Sequence, residues 1–257
     1  MAPTLNTDAE AVTAKPTRHI PANDIADRLS ALDWPAVSKE LDEQGCALIA
    51  SILNPAQCGA LSALYAKDNC FRSRVVMSRH GFGRGEYKYF SYPLPDMLAT
   101  LRTTLYRHLA PIANRWNALL GVEARYPPHH SQFLRRCHEA GQERPTPLLL
   151  QYAENDYNCL HQDLYGEHVF PLQVAFLLSA PERDFSGGEF VLTEQRPRMQ
   201  SRVQVVPLRQ GDAVAFAVNH RPVKGTRGHY RVAMRHGVSR LRTGKRHTLG
   251  IIFHDAV

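Results

Sequence analysis

The sequence predicts an α+β chain in which a helix-rich N-terminal half packs on a C-terminal β core. Three observations predict it. From Pro147 onward, short apolar runs recur (LLLQY, FPLQVAFLLS, GEFVLTE, VQVVPL, DAVAFAV, YRVAM, HTLGIIF), bounded by Gly, Pro, Asn and Asp. That is the pattern of a β sandwich or barrel. Residues 96–120 instead carry Leu98, Leu101, Leu105, Leu109 and Ile112 at helical spacing. At 257 residues, 44% hydrophobic and 21% charged, the chain is long enough for one large core and too apolar to be disordered throughout. We read residues 23–257 as a single domain, with its β core at 147–255. Residues 1–22, rich in Ala, Thr and Pro, are expected to form a disordered tail.

The N-terminal elements follow from local signals. Residues 23–45 read as helical, with Asp33 as an N-cap, Trp34-Pro35 opening a turn and Gly45 closing it. Residues 46–53 form a short apolar run and read as a strand. Asn54-Pro55 caps a second helix with Leu61, Leu64 and Tyr65 on one face. Residues 71–95 hold three Gly and two Pro among aromatics and Arg, and read as a strand plus a long loop. Pro127-Pro128 breaks the chain before another helical piece, 131–140.

Charge narrows the partners. The chain has 31 Lys+Arg against 24 Asp+Glu, a net +7. Residues 183–247 alone hold 14 Lys/Arg and 4 Asp/Glu, a balance of +10, so the rest of the chain is −3. A basic zone of that size permits an anionic partner such as nucleic acid. No run approaches the length of a membrane span, and the first 30 residues lack the apolar stretch of a secretory signal, so a cytoplasmic protein is expected. The five cysteines (Cys46, Cys58, Cys70, Cys137, Cys159) are scattered without a CxxC and read as free thiols.

The chemistry concentrates after residue 150. His161 and Asp163 are two apart, and in a strand such residues point the same way, toward one metal. Read alone, the pair is equally a His and an Asp at the end of a loop. Further on come Gly187-Gly188-Glu189-Phe190, Gly211-Asp212, His236, then Arg246 ten residues later and Thr248 two after that. This order resembles the Fe(II)/2-oxoglutarate dioxygenases, whose core is a double-stranded β-helix, or jelly roll. The resemblance implies a metal set of His161, Asp163 and His236 holding Fe(II) by one face. 2-Oxoglutarate and O2 would take the open positions. It implies Arg246 as the bidentate partner of the distal carboxylate of 2-oxoglutarate, with Thr248 and Tyr152 donating to the same group. His220 is the other candidate for the third ligand. The sequence after it does not lead into an apolar strand, whereas His236 is followed by a turn, Arg246 and HTLGIIF, so His236 is preferred. His168 and His254 are expected at the surface or behind the ligands.

RHGFGRGEYKYF, NCLHQDLYGEHVFPLQV, GGEFVLTEQRPRMQSR and MRHGVSR…RHTLGIIFHDA resemble a bacterial family of predicted AlkB-like oxygenases over residues 34–256. That family is assigned to oxidative demethylation of damaged nucleic acid. The resemblance implies demethylation of alkylated DNA or RNA bases with release of formaldehyde, succinate and CO2. Two positions depart from the AlkB pattern: Ile252 stands where a second arginine is usual, and Leu150 where an asparagine is usual. The His236–Arg246 spacing is closer to prolyl hydroxylases, so a protein hydroxylase is the alternative, with a small-molecule oxygenase next. For a nucleic-acid strand, Arg221, Lys224 and Arg227 in the basic stretch 219–235 are expected to overhang the pocket mouth and meet phosphates. Arg79 and Arg84, interleaved with Tyr87 and Tyr89, are expected to combine phosphate contact with base stacking.

Overall fold

The computed structural model describes residues 23–164 and 166–257. The expected tail, 1–22, lies outside the described residues. Helix α1 (Asn23–Ser30) leads into α2 (Trp34–Gln44). The Asp33 carboxylate accepts from the Ala36 N–H at 3.0 Å, and Pro35 sits in the first turn. Gly45 closes α2 at φ 77°, a left-handed conformation that favours glycine. A Cβ there would lie 2.6 Å from Met234 Cε and 2.9 Å from Arg221 Cδ, so the same residue lets the helix end seat on the β core.

Strand β1 (Cys46–Ile49) precedes α3 (Pro55–Ala63), which opens with a reciprocal capping box between Asn54 and Gln57. Residues 71–95 depart from the expected strand and loop. They form β2 (Phe71–Val76), a two-residue β3 (Gly83–Arg84) and β4 (Glu86–Phe90), with β2 and β4 paired antiparallel. The glycines are confined to the connection, and the flanking aromatic and β-branched residues suit a pleated surface. α4 (Asp96–Leu119) buries Leu98, Leu101, Leu105 and Leu109 completely, as its spacing predicts. α5 (His130–Glu139) follows. The N-terminal half is therefore mixed: helices alternate with strands that enter the main sheets.

The C-terminal half supplies β5 (Leu148–Tyr152), β6 (Tyr157–His161), β7 (Leu172–Leu177), β8 (Phe185–Gly187) and β9 (Phe190–Gln195). It continues with β10 (Arg202–Val206), β11 (Ala213–Ala217), β12 (His220–Gly225), β13 (Gly228–Val238), β14 (Leu241–Gly244) and β15 (Arg246–Ile251). Seven strands form one antiparallel sheet, β1-β11-β7-β15-β5-β4-β2. A second runs β10-β9-β13-β6-β3, with β12 also paired to β13. β7 and β11 are buried along their whole length, which is why they read as continuous apolar runs. No described helix is long and apolar enough to cross a membrane.

Candidate active site

Strand pairing brings the two histidines together. His161 is the last residue of β6, and the β13 ladder sets His236 directly opposite it, with ring centroids 4.2 Å apart. Asp163 lies just past the strand end, so it reaches the cluster from the connection rather than from a shared strand face. Its Oδ1 is 3.5 Å from His161 Nε2, and its Oδ2 is 3.4 Å from His236 Nε2. The three ligand atoms lie within 4.8 Å of one another, a geometry that could hold a metal ion. His161 Nδ1 lies 2.8 Å from the Cys159 carbonyl. A carbonyl only accepts, so Nδ1 carries the proton and Nε2 presents its lone pair to the cluster. Burial holds the His236 pKa below its ordinary value, which keeps the ring neutral and able to ligate. Phe216 and Phe190 pack on it at 4.6 and 6.1 Å between centroids. Two neutral imidazoles and one carboxylate are the donor set that suits Fe(II) in a facial triad.

The competing histidines are elsewhere. His220 sits on β12 opposite Ala233 and takes no part in the cluster. His168 is half-buried near Gln142, whose Oε1 accepts its backbone N–H at 2.7 Å. His254 is fully buried, and its Nδ1 accepts the Phe170 N–H at 3.2 Å. Burial pushes it down to about 4.

A second cluster forms around the start of β15. Arg246 lies opposite Tyr152 of β5, and Thr248 opposite Leu150. Arg246 is 1% exposed. Its Nη1 donates to Thr248 Oγ1 at 2.5 Å, and its guanidinium lies 5.6 Å from the centroid of the Tyr152 ring. No carboxylate among the described residues forms an ion pair with it, and its Nε has no hydrogen-bond partner among them. Desolvation pushes the guanidinium down to about 10, an unusual position for an arginine. A buried cation with an orphaned donor fits a carboxylate-bearing ligand. Gly188, from the Gly-Gly turn, keeps this space open: a Cβ there would come within 3.1 Å of Arg246 Cδ.

The two clusters share one cavity of about 410 Å³ between the sheets, lined by Arg246, Thr248 and Tyr152 as well as His161, Asp163 and His236. Tyr87 and Tyr89 line it too, edge-to-face with centroids 5.3 Å apart. β4 alternates: Lys88, on the opposite face, bonds Asp68 at 2.7 Å and the Tyr65 carbonyl at 2.9 Å. Phe82 and Leu160 line the opening and are each nearly half exposed.

The basic residues proposed for a strand fare differently. Arg79 and Arg84 are exposed but do not line the cavity; Arg84 faces Asp156 at 3.9 Å and lines a separate pocket with Glu86 and Gln151. Arg221 corrects the expectation of a phosphate contact. It is 2% exposed, ion-paired with Glu194, and donates to the Asp42 carbonyl at 2.7 Å. Lys224 and Arg227 are exposed, but they flank the tip of the β12–β13 hairpin, where Gly225 pairs with Gly228. β12 lies against α2 and α4. Eight residues of extended strand separate Gly228 from His236, about 26 Å. The stretch 219–235 is therefore a paired hairpin directed away from the cavity, not an overhang at its mouth. Sequence reasoning missed Gln173, Asn158 and Phe216, which also line the cavity. The only signal for Gln173 was a lone polar residue within the apolar run LQVAFL.

The fold is similar to solved structures. A Pseudomonas putida prolyl-4-hydroxylase aligns with TM-score 0.53 at 14% identity, over 87% of this chain and 99% of that one. A 2OG-Fe(II) oxygenase family oxidoreductase from Burkholderia pseudomallei aligns with TM-score 0.53 at 16% identity, over 88% and 94%. The architecture is thus the jelly roll of those enzymes. With a family match over residues 85–256, that fold defines the class: the protein is an oxidoreductase of the 2-oxoglutarate/Fe(II) oxygenase type. A family model described as "Oxygenase, catalysing oxidative methylation of damaged DNA" matches residues 85–256, and the chain belongs to that family. "Uncharacterized protein Rv2227" of Mycobacterium tuberculosis (strain ATCC 25618 / H37Rv) is 51% identical over 167 residues, 65% of this chain and 72% of that protein.

Proposed function

We propose that this protein is an Fe(II)- and 2-oxoglutarate-dependent dioxygenase that removes methyl groups from alkylated bases of DNA or RNA by oxidation, releasing formaldehyde, succinate and CO2. One observation carries the reading. A single cavity has a two-histidine, one-carboxylate cluster on one wall and a buried arginine without a carboxylate partner on another. His161, Asp163 and His236 would hold the iron. With 2-oxoglutarate and O2, that iron supplies the oxidising equivalents that hydroxylate a C–H bond. Arg246 neutralises the distal carboxylate of the co-substrate, and Thr248 and Tyr152 orient it. Phe190 and Phe216 exclude water around His236.

Substrate choice rests on the opening. Tyr87 and Tyr89 offer aromatic faces inside the cavity, and Phe82 offers one at its edge. Stacking of this kind holds a base drawn out of a duplex or supplied by a single strand. Arg79 and Arg84, exposed on the same 79–92 segment as Phe82, Tyr87 and Tyr89, would meet the adjoining phosphates. A hydroxylated N-methyl group collapses to free amine and formaldehyde without a dedicated acid–base pair. The second reading, hydroxylation of a protein side chain, is favoured by the ten-residue His236–Arg246 spacing and by prolyl hydroxylases among the structures of similar fold. Purified protein given Fe(II), 2-oxoglutarate and N-methylated oligonucleotides, single-stranded and duplex, separates the two. Formaldehyde release with restoration of the unmodified base supports demethylation. Hydroxylated peptide with untouched oligonucleotide supports the second reading.

A further inference from the structure

Gln173 is a buried amide on a strand built otherwise from apolar residues. It lies on β7 between Leu172 and Val174, is 4% exposed, and lines the cavity. Its Nε2 is shielded from water and has no hydrogen-bond partner among the described residues. An amide donor left so destabilises the fold, and a Leu of similar size would avoid that cost. The position therefore tolerates a polar group that the folded chain alone does not use.

Strand register says where that group sits. Gln173 is directly opposite Phe216 of β11, and directly opposed residues share a face with Cβ atoms about 5 Å apart. Phe216 in turn packs on His236, with centroids 4.6 Å apart. Gln173 is thus at the metal end of the cavity. Arg246 is at the other end: β15 pairs Thr248 with Leu177, four residues and about 13 Å along β7 from Gln173. Arg246 lies a further two residues on, on the far side of Thr248 from Gln173. A dicarboxylate whose distal end meets Arg246 extends its other end toward the cluster and Gln173.

We propose that Gln173 is a positioning residue for the co-substrate, its side-chain amide donating a hydrogen bond to the 2-oxo-acid end beside the metal. This rests on the reading of Arg246 as the partner of the distal carboxylate. Arg246 alone would hold any five-carbon carboxylate by one end. Gln173 discriminates by the other, favouring a ligand with acceptors there.

The test is equilibrium binding to the full chain loaded with Mn(II) under anaerobic conditions, using 2-oxoglutarate and pentanoate, which keeps one carboxylate for Arg246 and has no acceptor at its other end. Gln173→Leu is expected to weaken 2-oxoglutarate binding about 10- to 100-fold, the loss of a hydrogen bond to a charged group. It should leave pentanoate within about twofold and Mn(II) affinity unchanged. Gln173→Glu, of the same shape but with charge opposed to a carboxylate, should weaken 2-oxoglutarate more than Gln173→Leu does. Unchanged 2-oxoglutarate affinity in Gln173→Leu overturns the assignment, as does an equal loss of both ligands or a loss traced to Mn(II). Arg246→Met should weaken both ligands. If it weakens neither while Gln173→Leu weakens 2-oxoglutarate, the Arg246 reading fails and the contact of Gln173 stands.

Discussion

Two buried arginines, Arg221 and Arg246, show how differently the same side chain can be used in one molecule. Both are 2% exposed or less. Arg221 is satisfied from within: Glu194 pairs with one nitrogen and the Asp42 carbonyl accepts from another. Burial raises the Glu194 carboxyl, but Arg221, with Arg196 at 2.7 Å and Arg202 at 3.2 Å, holds it below the usual range. Arg102 repeats the pattern, with Asp255 at 2.8 Å and the Ile252 carbonyl at 2.9 Å. Arg246 has Thr248 and no carboxylate among the described residues. A buried charge that the chain pairs is part of the fold. One that it leaves unpaired is poised for a ligand, because the cost of its desolvation is recovered only when an anion arrives.

The metal cluster gives the largest expected effect. Asp163→Ala should abolish Fe(II)-dependent conversion of 2-oxoglutarate to succinate, and His236→Ala should do the same, whereas His220→Ala should leave it intact. Succinate formation at the wild-type rate in either ligand variant contradicts the cluster's role.

The arginine contrast comes next, because its two halves should fail in different ways. Arg246→Met should raise the 2-oxoglutarate KM on the order of 100-fold or more, from losing a buried charge pair with ligand. Its unfolding midpoint in urea should hold or rise, since an uncompensated buried cation is gone. Arg221→Met should leave KM alone and cost about 1–3 kcal/mol of stability, because Glu194 loses its buried partner and the Asp42 carbonyl its donor while Arg196 and Arg202 still pair Glu194. Replacing Arg221 and Glu194 together by apolar residues should recover most of that loss. If both arginines behave alike, the distinction between structural and ligand-bound charge is wrong.

A smaller effect concerns pH. His130 is buried, and its Nε2 lies 2.7 Å from the Phe253 carbonyl, to which the neutral ring donates. Burial pushes it from 6.5 down to about 3. Its folded value is depressed, so the unfolded chain takes up the proton first as pH falls. The contribution is complete above about pH 6.5 and is lost on acidification, by up to about 1.4 kcal/mol per pH unit. Urea midpoints from pH 7 to pH 5 should fall, and His130→Gln should flatten that slope.

The smallest effects separate the two basic regions. Lys224→Ala with Arg227→Ala should change oligonucleotide binding and turnover by less than about twofold, because the hairpin tip is remote from the cavity. Arg79→Ala and Arg84→Ala should each weaken single-strand binding and reduce its salt dependence by about one counterion. A large effect at the hairpin tip with none at Arg79 or Arg84 would move the strand to the other face of the molecule.

The C-terminal strands and α4 were readable because burial imposes a period that the residues must obey. Asp33, Gly45 and the Asn54–Gln57 box were readable because caps need particular side chains at particular places. The hairpin of β2 and β4 was obscured by the glycines of its own connection, which made the whole segment look like loop. The side chains around Arg246 came from motif order, which strand register then made spatial. Arg221 misled because charge density says nothing about which way a residue faces. Glu194, which turns it inward, lies 27 residues away in sequence. Gln173 was hidden for a related reason: one polar residue in an apolar strand acquires meaning only when its neighbour across the ladder is known.

The most direct measurement is of coupled products from single-stranded and duplex oligonucleotides carrying N-methylated bases. Equal amounts of succinate and formaldehyde, dependent on Fe(II), with recovery of the unmodified base, are expected, and both products should vanish in Asp163→Ala. Succinate formed without formaldehyde, and with every methylated base intact, would contradict nucleic-acid demethylation while leaving the oxygenase chemistry standing.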